Sequence, residues 1–455
     1  MPRTIYFYMK IFIATVICIL GFVSCSEMEI AWTKKIDVAG PGNYRLSDIV
    51  RIDRHTFITG TFQPESSSEA HCFVAAFDTS DVLVWHELYQ DPDQRAIESR
   101  ALIVQRNENE LFDASYALYV HVQTTRANGS HASVVLKYSG DGKQIWSREL
   151  DIPNNREEKQ SFMIADHQGN QYVIGLLTNT SNITSVFLKQ IGSQGDIVNN
   201  WQFNDVSFRK IMVDAAGPDD IVVGGTVYGQ NNLVCIRYRG QDKGFATLKI
   251  PVAGHEPMIS DLRITSDGSL VLLAAVRNDD QDYDFETLCY DRNDSLQWQQ
   301  TFNEPGKQED IPVALGFDDS ACIYVTGTTE TGSRNTDIMT VKYDPDGNEV
   351  WSRRFVGKKD ESTRPYYLHP AKAIHGSSSY NMYIYGTVGN DVLIIKYTSN
   401  GFLTWFTRIK QDASICIPSA GASHLVGVQA VKRDTRQAFL VKFQRSEQLG
   451  LIRWD

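Results

Sequence analysis

The sequence predicts an all-β protein, a β-propeller of four-stranded antiparallel blades. Three observations support this prediction: hairpins recur about every 50 residues, an aromatic residue follows each hairpin turn, and a small residue lies near the end of the strand before the hairpin. A period of this length made only of short strands is typical of propellers, because one blade alone cannot bury both of its faces.

The clearest repeat unit runs from residue 321 to residue 355. Its first strand pattern contains Gly327, and a second pattern at 337–343 alternates in hydrophobicity, which indicates β-strands. The turn sequence Asp-Pro-Asp-Gly follows, in which Pro presets φ and Gly takes a positive φ. The chain then reverses into a strand that contains Trp351, so the unit ends in a hairpin.

The aromatic residue after the turn gives the number of repeats. In five copies it lies 8 residues after the aromatic residue that ends the third strand, as Trp351 follows Tyr343. Phe245 takes this place in one repeat, and Trp takes it in the others: Trp32, Trp85, Trp146, Trp201, Trp298, Trp351, Trp405 and Trp454. Nine marks enclose eight repeats, which predicts eight blades. A large ring at a constant position is typical of packing between blades, and a sugar-stacking platform is the alternative.

A second set of positions keeps the same period. These small residues near the end of the second strand are Gly60, Gly175, Gly225, Ala275, Gly327, Gly386 and Gly427. Nine outer strands for eight blades leave one terminal strand to close the ring. Either residues 30–36 or residues 450–455 can supply it, and closure by the N-terminal strand would remove an open sheet edge.

The repeat from IYVTG to DIMTVKYDPDGNEVWSRRF resembles the bacterial β-propeller repeat known as SBBP. The match is strongest in the units that end at Trp351 and Trp405. The resemblance implies a propeller blade in a secreted or surface protein and implies no single activity. The family is often drawn with seven blades, which makes seven the alternative to eight.

The N-terminal segment predicts export. Residues 1–24 combine two positive charges, an apolar run at 11–23 and a small residue before Cys25, as in a signal peptide. The segment resembles a bacterial lipobox, which makes Cys25 the lipidated residue, residues 25–29 a tether and residues 30–455 a single propeller domain. We expect an outer-membrane lipoprotein, periplasmic or surface-exposed. A non-lipid signal peptide is the alternative.

Composition restricts the partners. A net charge of −11 disfavours nucleic acid and anionic lipid headgroups, so we expect membrane attachment through the lipid alone and a monomeric protein. Five Cys residues remain after the signal and the anchor, and their odd number and apolar surroundings predict free core thiols rather than disulfides: Cys72, Cys235, Cys289, Cys322 and Cys416.

Two groups of acidic residues are candidates for a metal-binding or catalytic site. Asp279, Asp280, Asp282 and Asp284 form the most acidic loop, for which a solvated loop is the favoured interpretation and a Ca²⁺ site the alternative. Glu98, Asp261 and Asp310 precede or begin inner strands and are therefore nearest to a central channel, although a structural or solvent-exposed role is the favoured interpretation of each. No nucleophile elbow, phosphate-binding loop or zinc motif is present in the sequence.

Long loops fall on one face of the predicted propeller, namely those that join blades and those that join strands two and three of a blade. The tight hairpins fall on the other face. Binding usually resides in long loops on a rigid scaffold. The sequence therefore favours a non-enzymatic scaffold that binds an envelope protein or a glycan. The alternative is a hydrolase or lyase that acts on an extracellular polymer through channel carboxylates.

Overall fold

A computed structural model gives the architecture as β-strands arranged in four-stranded antiparallel sheets. The structure describes residues 28–445 except for the following positions: 54, 92, 94–95, 107–115, 126–128, 130, 151–155, 166–169, 180, 182, 218–219, 241–243, 280, 305–308, 332–334, 359–360, 373–379, 410–412, 420–421 and 433–434. Within the described part of the chain, no helix is long and apolar enough to cross a membrane.

Seven sheets each consist of four consecutive strands, numbered here in chain order. Sheet 1 contains β2 (Gly42–Ile52), β3 (His55–Pro64), β4 (His71–Phe77) and β5 (Leu83–Tyr89). Sheet 2 contains β6 (Ala96–Arg106), β7 (Tyr116–Thr125), β8 (His131–Ser139) and β9 (Gln144–Glu149). Sheet 3 contains β10 (Arg156–Ala165), β11 (Gln171–Asn179), β12 (Thr184–Ile191) and β13 (Ile197–Phe203). Sheet 4 contains β14 (Phe208–Gly217), β15 (Asp220–Val227), β16 (Asn232–Tyr238) and β17 (Phe245–Pro251).

The next three sheets continue this order. Sheet 5 contains β18 (His255–Ile264), β19 (Leu270–Arg277), β20 (Tyr283–Tyr290) and β21 (Leu296–Phe302). Sheet 6 contains β22 (Asp310–Phe317), β23 (Ile323–Glu330), β24 (Thr336–Tyr343) and β25 (Glu349–Phe355). Sheet 7 contains β26 (Thr363–Lys372), β27 (Tyr380–Val388), β28 (Asp391–Thr398) and β29 (Leu403–Ile409).

One further four-stranded sheet, the composite sheet, joins the two ends of the described chain. Its order is β1 (Met28–Lys35), β32 (Thr435–Arg445), β31 (Ala422–Lys432) and β30 (Ala413–Ser419). β30 lies against β27 and β28 of sheet 7, while β2 of sheet 1 lies against β30, β31 and β32. The composite sheet therefore lies between sheet 7 and sheet 1, and the N-terminal strand forms its outer edge. Residues 450–455, the other predicted closing strand, lie outside the described residues.

The hydrophobic cores lie between neighbouring sheets. Every residue of the central strand β27 is buried, whereas no residue of the outer strand β9 is fully buried. Between sheets 1 and 2, for example, Phe57 and Val74 of one sheet share a core with Leu118 and Leu136 of the other. Because the central strands are covered on both faces, they are almost continuous apolar runs.

A β-bulge in the inner strand explains the small residue near the end of the second strand. In sheet 7 the register of β26 shifts opposite Gly386, and a Cβ atom on Gly386 would lie 2.1 Å from the carbonyl oxygen of Arg364. In sheet 6 a Cβ atom on Gly327 would lie 2.2 Å from the carbonyl oxygen of Ile311. At these two positions the bulge brings the backbone of the inner strand so close to the second strand that a Cβ atom would force a shift.

The outer-strand Trp residues join each sheet to the next. The Nε1 of Trp351 in sheet 6 donates to the carbonyl of Ser399 at 3.0 Å, and a Cβ atom on Gly401 in the same turn of sheet 7 would lie 2.7 Å from its ring. Trp298 donates in the same way to the Asp-Pro-Asp-Gly turn of sheet 6 and covers Gly347. The same contact joins Trp85 to Gly142 and Trp146 to Gly195. Gly at this turn position therefore serves two purposes. It adopts the positive φ of the turn, and its lack of a Cβ atom leaves space for the Trp ring of the preceding sheet.

Candidate functional site

A cleft of about 500 Å³ opens between sheet 1 and sheet 2. Its walls are the starts of β2 and β6, the ends of β3 and β7, and the start of β8. These strand ends belong to the loop-rich face. The cleft is lined by Asn43, Tyr44, Arg45, Thr61, Gln63, Ala70, Ala96, Ile97, Glu98, Gln123, Thr125 and His131. Its volume lies in the range of small-ligand sites.

Two arginines share one carboxylate at this cleft. Arg45 Nη1 forms a short ion pair with Glu98 Oε1, and Arg100 Nη2 lies 2.9 Å from Glu98 Oε2. The side chains of Arg45 and Arg100 are 43% and 38% exposed. Two guanidinium groups against one carboxylate leave an excess positive charge in a chain whose net charge is −11. Guanidinium groups match the geometry of carboxylate and phosphate oxygens.

A buried polar chain runs from the cleft into the contact between sheets 2 and 3. Gln123 accepts a short hydrogen bond from Arg100, and its Nε2 donates to Glu158 Oε1 at 3.4 Å. Ser133 donates to the same oxygen at 2.7 Å, and the Oγ of Ser133 lies 2.8 Å from Nε2 of His121. Since Glu158 belongs to β10, this chain of hydrogen bonds connects the cleft to sheet 3.

Burial determines the protonation states of the hydrogen-bonded side chains His121 and Glu158. Burial lowers the pKa of His121 to about 3, and the positive charge of Arg100 acts in the same direction. Burial raises the pKa of Glu158, although its hydrogen bonds oppose the shift. A neutral His121 that donates from Nε2 to Ser133 is consistent with Ser133 donating to Glu158. Because all three side chains are completely buried, their arrangement is structural and does not expose a nucleophile.

The contribution of His121 to stability is expected to fall as the pH drops from about 6.5 towards 3, because His121 binds a proton in this range only after unfolding. A His121→Gln variant lacks this titration. Between neutral pH and about pH 4.5, the wild type should lose about 2 kcal/mol more of its free energy of unfolding than the variant. Urea denaturation at the two pH values measures this difference. Equal losses would show that His121 is not held neutral by burial.

The structure separates the members of the predicted Ca²⁺ loop. Asp279 is exposed, Asp282 is half-buried and Asp284 is buried, while Asp280 lies outside the described residues. The side chain of Asn278 accepts the N–H of Asp282 at 3.1 Å and donates to Asp284 Oδ2 at 3.0 Å. Within the described ranges, no group of three or more His, Cys, Asp and Glu side chains is arranged to hold a metal ion.

Inner-strand acids bind one sheet to the next. Asp261 Oδ2 accepts the N–H of Leu315 in the following sheet at 3.0 Å, and its Oδ1 accepts the N–H of Leu262 at 2.8 Å. Asp48 and Asp214 also accept a main-chain N–H from the following sheet. Burial raises the pKa of all three carboxyls, to about 6 for Asp48. Their hydrogen bonds assign these acids a role in joining sheets.

The other two predicted channel acids lie elsewhere. Glu98 is at the cleft between its two arginines. Asp310 is completely buried and its Oδ2 accepts the N–H of Glu304 at 2.7 Å. The three predicted acids therefore do not form one cluster.

The remaining predicted residues are placed as follows. Cys25 and Trp454 lie outside the described residues, and Trp32 lies in β1, where only the backbone is described. Trp201 packs against Tyr238 and Phe245, and the ring of Trp405 packs against Tyr383. The described cysteines are free thiols, namely Cys72, Cys235, Cys289 and Cys322, while the side chain of Cys416 is not among those described.

No family model matches the chain, and no curated protein matches it. Similar solved structures include the WD40 domain of SCAP from fission yeast, with a TM-score of 0.44 and 8% identity over 90% of this chain and 98% of that chain. The β-propeller domain of the Trilobed protease from Pyrococcus furiosus has a TM-score of 0.43 and 7% identity over 72% and 91%. Polysaccharide lyase Uly1 has a TM-score of 0.42 and 10% identity over 90% of each chain. Similarity at this level carries no argument about activity. The chain is an all-β protein of four-stranded antiparallel sheets.

Proposed function

We propose that the protein is a non-catalytic binding scaffold of the bacterial cell envelope, and that the cleft between sheets 1 and 2 binds an acidic glycan. The observation that carries this proposal is the excess positive charge of Arg45 and Arg100 over Glu98 in a polar cleft on the loop-rich face. A charged group of the glycan would take the free guanidinium donors.

The rest of the lining supports a saccharide ligand. Asn43 and Gln63 contribute amides, and Thr61 and Thr125 contribute hydroxyls. These groups donate and accept hydrogen bonds as sugar hydroxyls require. A concave cleft of about 500 Å³ also suits one or two sugar units better than the flat surface of a protein partner. An envelope protein is the other partner that a loop-rich face would suit.

The proposal also includes how the protein is attached to the membrane and which repeat its sheets belong to. The protein would be exported by residues 1–24 and held at the outer membrane through a lipid on Cys25, as the sequence pattern indicates. Its repeats would be of the SBBP type. The seven sheets of consecutive strands and the composite sheet would together form an eight-bladed, monomeric propeller. The position of the composite sheet between sheets 7 and 1 supports this count.

The alternative function, a polymer-degrading hydrolase or lyase, needs an acid–base pair that a substrate can reach. The inner-strand acids Asp48, Asp214 and Asp261 are occupied by main-chain N–H groups of the next sheet. At the cleft, both carboxylate oxygens of Glu98 are paired with guanidinium groups. The geometry therefore favours binding over catalysis.

Binding of a galacturonic-acid oligosaccharide, compared with the matching galactose oligosaccharide, tests the function. We expect the acidic ligand to raise the melting temperature and the neutral ligand to have a much smaller effect. In Arg45→Gln and Arg100→Gln variants the affinity for the acidic ligand should fall about tenfold each, because each loses a charge-assisted contact.

Lys143→Gln is the matched control, because it removes one positive charge from an exposed turn on the opposite face. Its affinity should equal that of the wild type. Equal losses in all three variants would show that binding depends on net charge rather than on the cleft. Release of reducing sugar from the oligosaccharide would favour the hydrolase or lyase instead.

A further inference from the structure

Two buried acids from neighbouring sheets are contacted by the same short segment of the chain after β21. Asp284 in β20 is 3% exposed, and Asp310 at the start of β22 has no exposed surface. Asn303 Nδ2 lies 3.5 Å from Asp284 Oδ2, and the N–H of the next residue, Glu304, donates to Asp310 Oδ2 at 2.7 Å. Consecutive residues therefore contact the two carboxyl groups, one through a side-chain amide and the other through a main-chain N–H.

A second contact holds the same two strands together. The N–H of Tyr283 donates to Glu309 Oε2 at 3.3 Å, so the residue before Asp284 contacts the residue before Asp310. The negative charge of Asp284 also acts on Asp310: burial raises the pKa of Asp310 to about 6, and the charges of Asp284 and Glu304 act in the same direction.

Each carboxyl group leaves one buried oxygen unsatisfied. Oδ1 of Asp284 and Oδ1 of Asp310 have no hydrogen-bond partner within the described parts of the chain. The hydroxyl of Thr329, opposite Asp310 in β23, lies beside this carboxyl without a well-aligned hydrogen bond. The guanidinium of Arg354 pairs with Asp337 at 2.9 Å and with Glu304 at 3.5 Å instead. Two adjacent buried carboxylates are costly unless a proton or a cation neutralises them.

We propose that one Ca²⁺ ion binds between Asp284 Oδ1 and Asp310 Oδ1 and joins sheet 5 to sheet 6. Ca²⁺ accepts carboxylate, hydroxyl and carbonyl oxygens together with water, in flexible geometry. The hydroxyl of Thr329 would be a neutral ligand, and water would complete the coordination. Two carboxylates and neutral oxygens make a site of modest affinity, because affinity increases with the number of charged ligands.

This site differs from the loop that the sequence suggested. Its ligands come from two sheets rather than from one loop, and it uses neither Asp279 nor Asp282. Asp284 is buried because it lies in β20, a strand covered on both faces, whereas Asp279 and Asp282 precede the strand. A proton shared by the two carboxyl groups is the competing explanation, and the experiment below separates the two.

The test is a melting curve of the purified, EDTA-treated protein at neutral pH, without and with millimolar Ca²⁺. We expect Ca²⁺ to raise the melting temperature by about 2 °C or more, and Mg²⁺ to have a smaller effect. Asp284→Asn and Asp310→Asn should each abolish the shift, whereas Asp279→Asn, an exposed residue of the same region, should keep it. No shift in the wild type would overturn the proposal and leave the shared proton.

Terbium luminescence provides a second measurement if an Asn variant fails to fold. Tb³⁺ resembles Ca²⁺ in size and ligand preference, and Tyr283 is adjacent to Asp284 and can sensitise its emission. We expect Tb³⁺ emission from the wild type that Ca²⁺ displaces and that weakens when the pH falls below the pKa of the two carboxyls. Emission unchanged by acid, or lost in Asp279→Asn, would place the ion elsewhere and contradict the proposal.

Discussion

Replacing Gly386 by Ala is expected to lower the free energy of unfolding by about 3 kcal/mol or more. The new Cβ atom would lie 2.1 Å from the carbonyl oxygen of Arg364, and backbone cannot move aside as a flexible side chain can. Relief would require either the bulge of β26 or its pairing with β27 to change. Urea denaturation of the variant and the wild type measures the loss.

Gly389→Ala is the matched control in the same sheet. Gly389 has a φ of +54°, and a Cβ atom there would meet nothing within 4 Å. The variant therefore incurs only the cost of a left-handed conformation, about 1 kcal/mol. A loss as large as that of Gly386→Ala would mean that backbone conformation, and not the close approach at the bulge, explains the small residue in the repeat.

Arg237→Met is expected to lower the free energy of unfolding by about 3–5 kcal/mol, because it leaves carboxylates without their buried partner. The side chain of Arg237 is 1% exposed. Its Nε and Nη2 each donate to Asp220 at 2.6 Å, and Nη1 donates to Asp294 at 2.8 Å. Nη2 also donates to the carbonyl of Gly268 at 2.6 Å. These bonds join sheet 4 to two turns of sheet 5.

Arg408→Met is the control that distinguishes the effect of burying an arginine from the effect of pairing it with two carboxylates. Arg408 also contacts two carboxylates, with Nε 2.5 Å from Asp391 and Nη1 2.9 Å from Glu361, but its side chain is 26% exposed. Water screens this pair, so its removal should cost about 1 kcal/mol or less. Similar losses for the two Arg variants, measured by the same denaturation experiment, would show that the buried position of Arg237 adds nothing.

The repeat could be predicted because its contacts recur at fixed spacing. The 8-residue distance from Tyr343 to Trp351 reflects one hairpin, and the structure shows why the turn ends in Gly: the Trp of the preceding sheet covers Gly347. The periodic Gly near the end of the second strand corresponds to the inner-strand bulge. Pairing of β1 with β32 was among the sequence alternatives, since residues 30–36 resemble an outer strand.

The candidate site could not be predicted from spacing. Arg45 and Glu98 come from different sheets, and both residue types are common at strand ends. The hydrogen bonds of His121, Ser133 and Glu158 likewise join residues that no motif connects. In the acidic loop, the sequence grouped residues by proximity along the chain, whereas the start of β20 separates the buried Asp284 from Asp279 and Asp282 before the strand. Contacts between sheets depend on the angle and register of the blades, which a single sequence does not show.

Hydrogen exchange with and without the galacturonic-acid oligosaccharide is the most direct test of the proposed binding face. If the cleft binds the ligand, exchange should slow at the start of β2 around Arg45, at the start of β6 around Glu98 and at the end of β7 around Gln123. The tight turns at Gly142 and Gly195, on the opposite face, should exchange as before. Protection at those turns, with unchanged exchange around the cleft, would contradict the proposal that the loop-rich face between sheets 1 and 2 is the binding site.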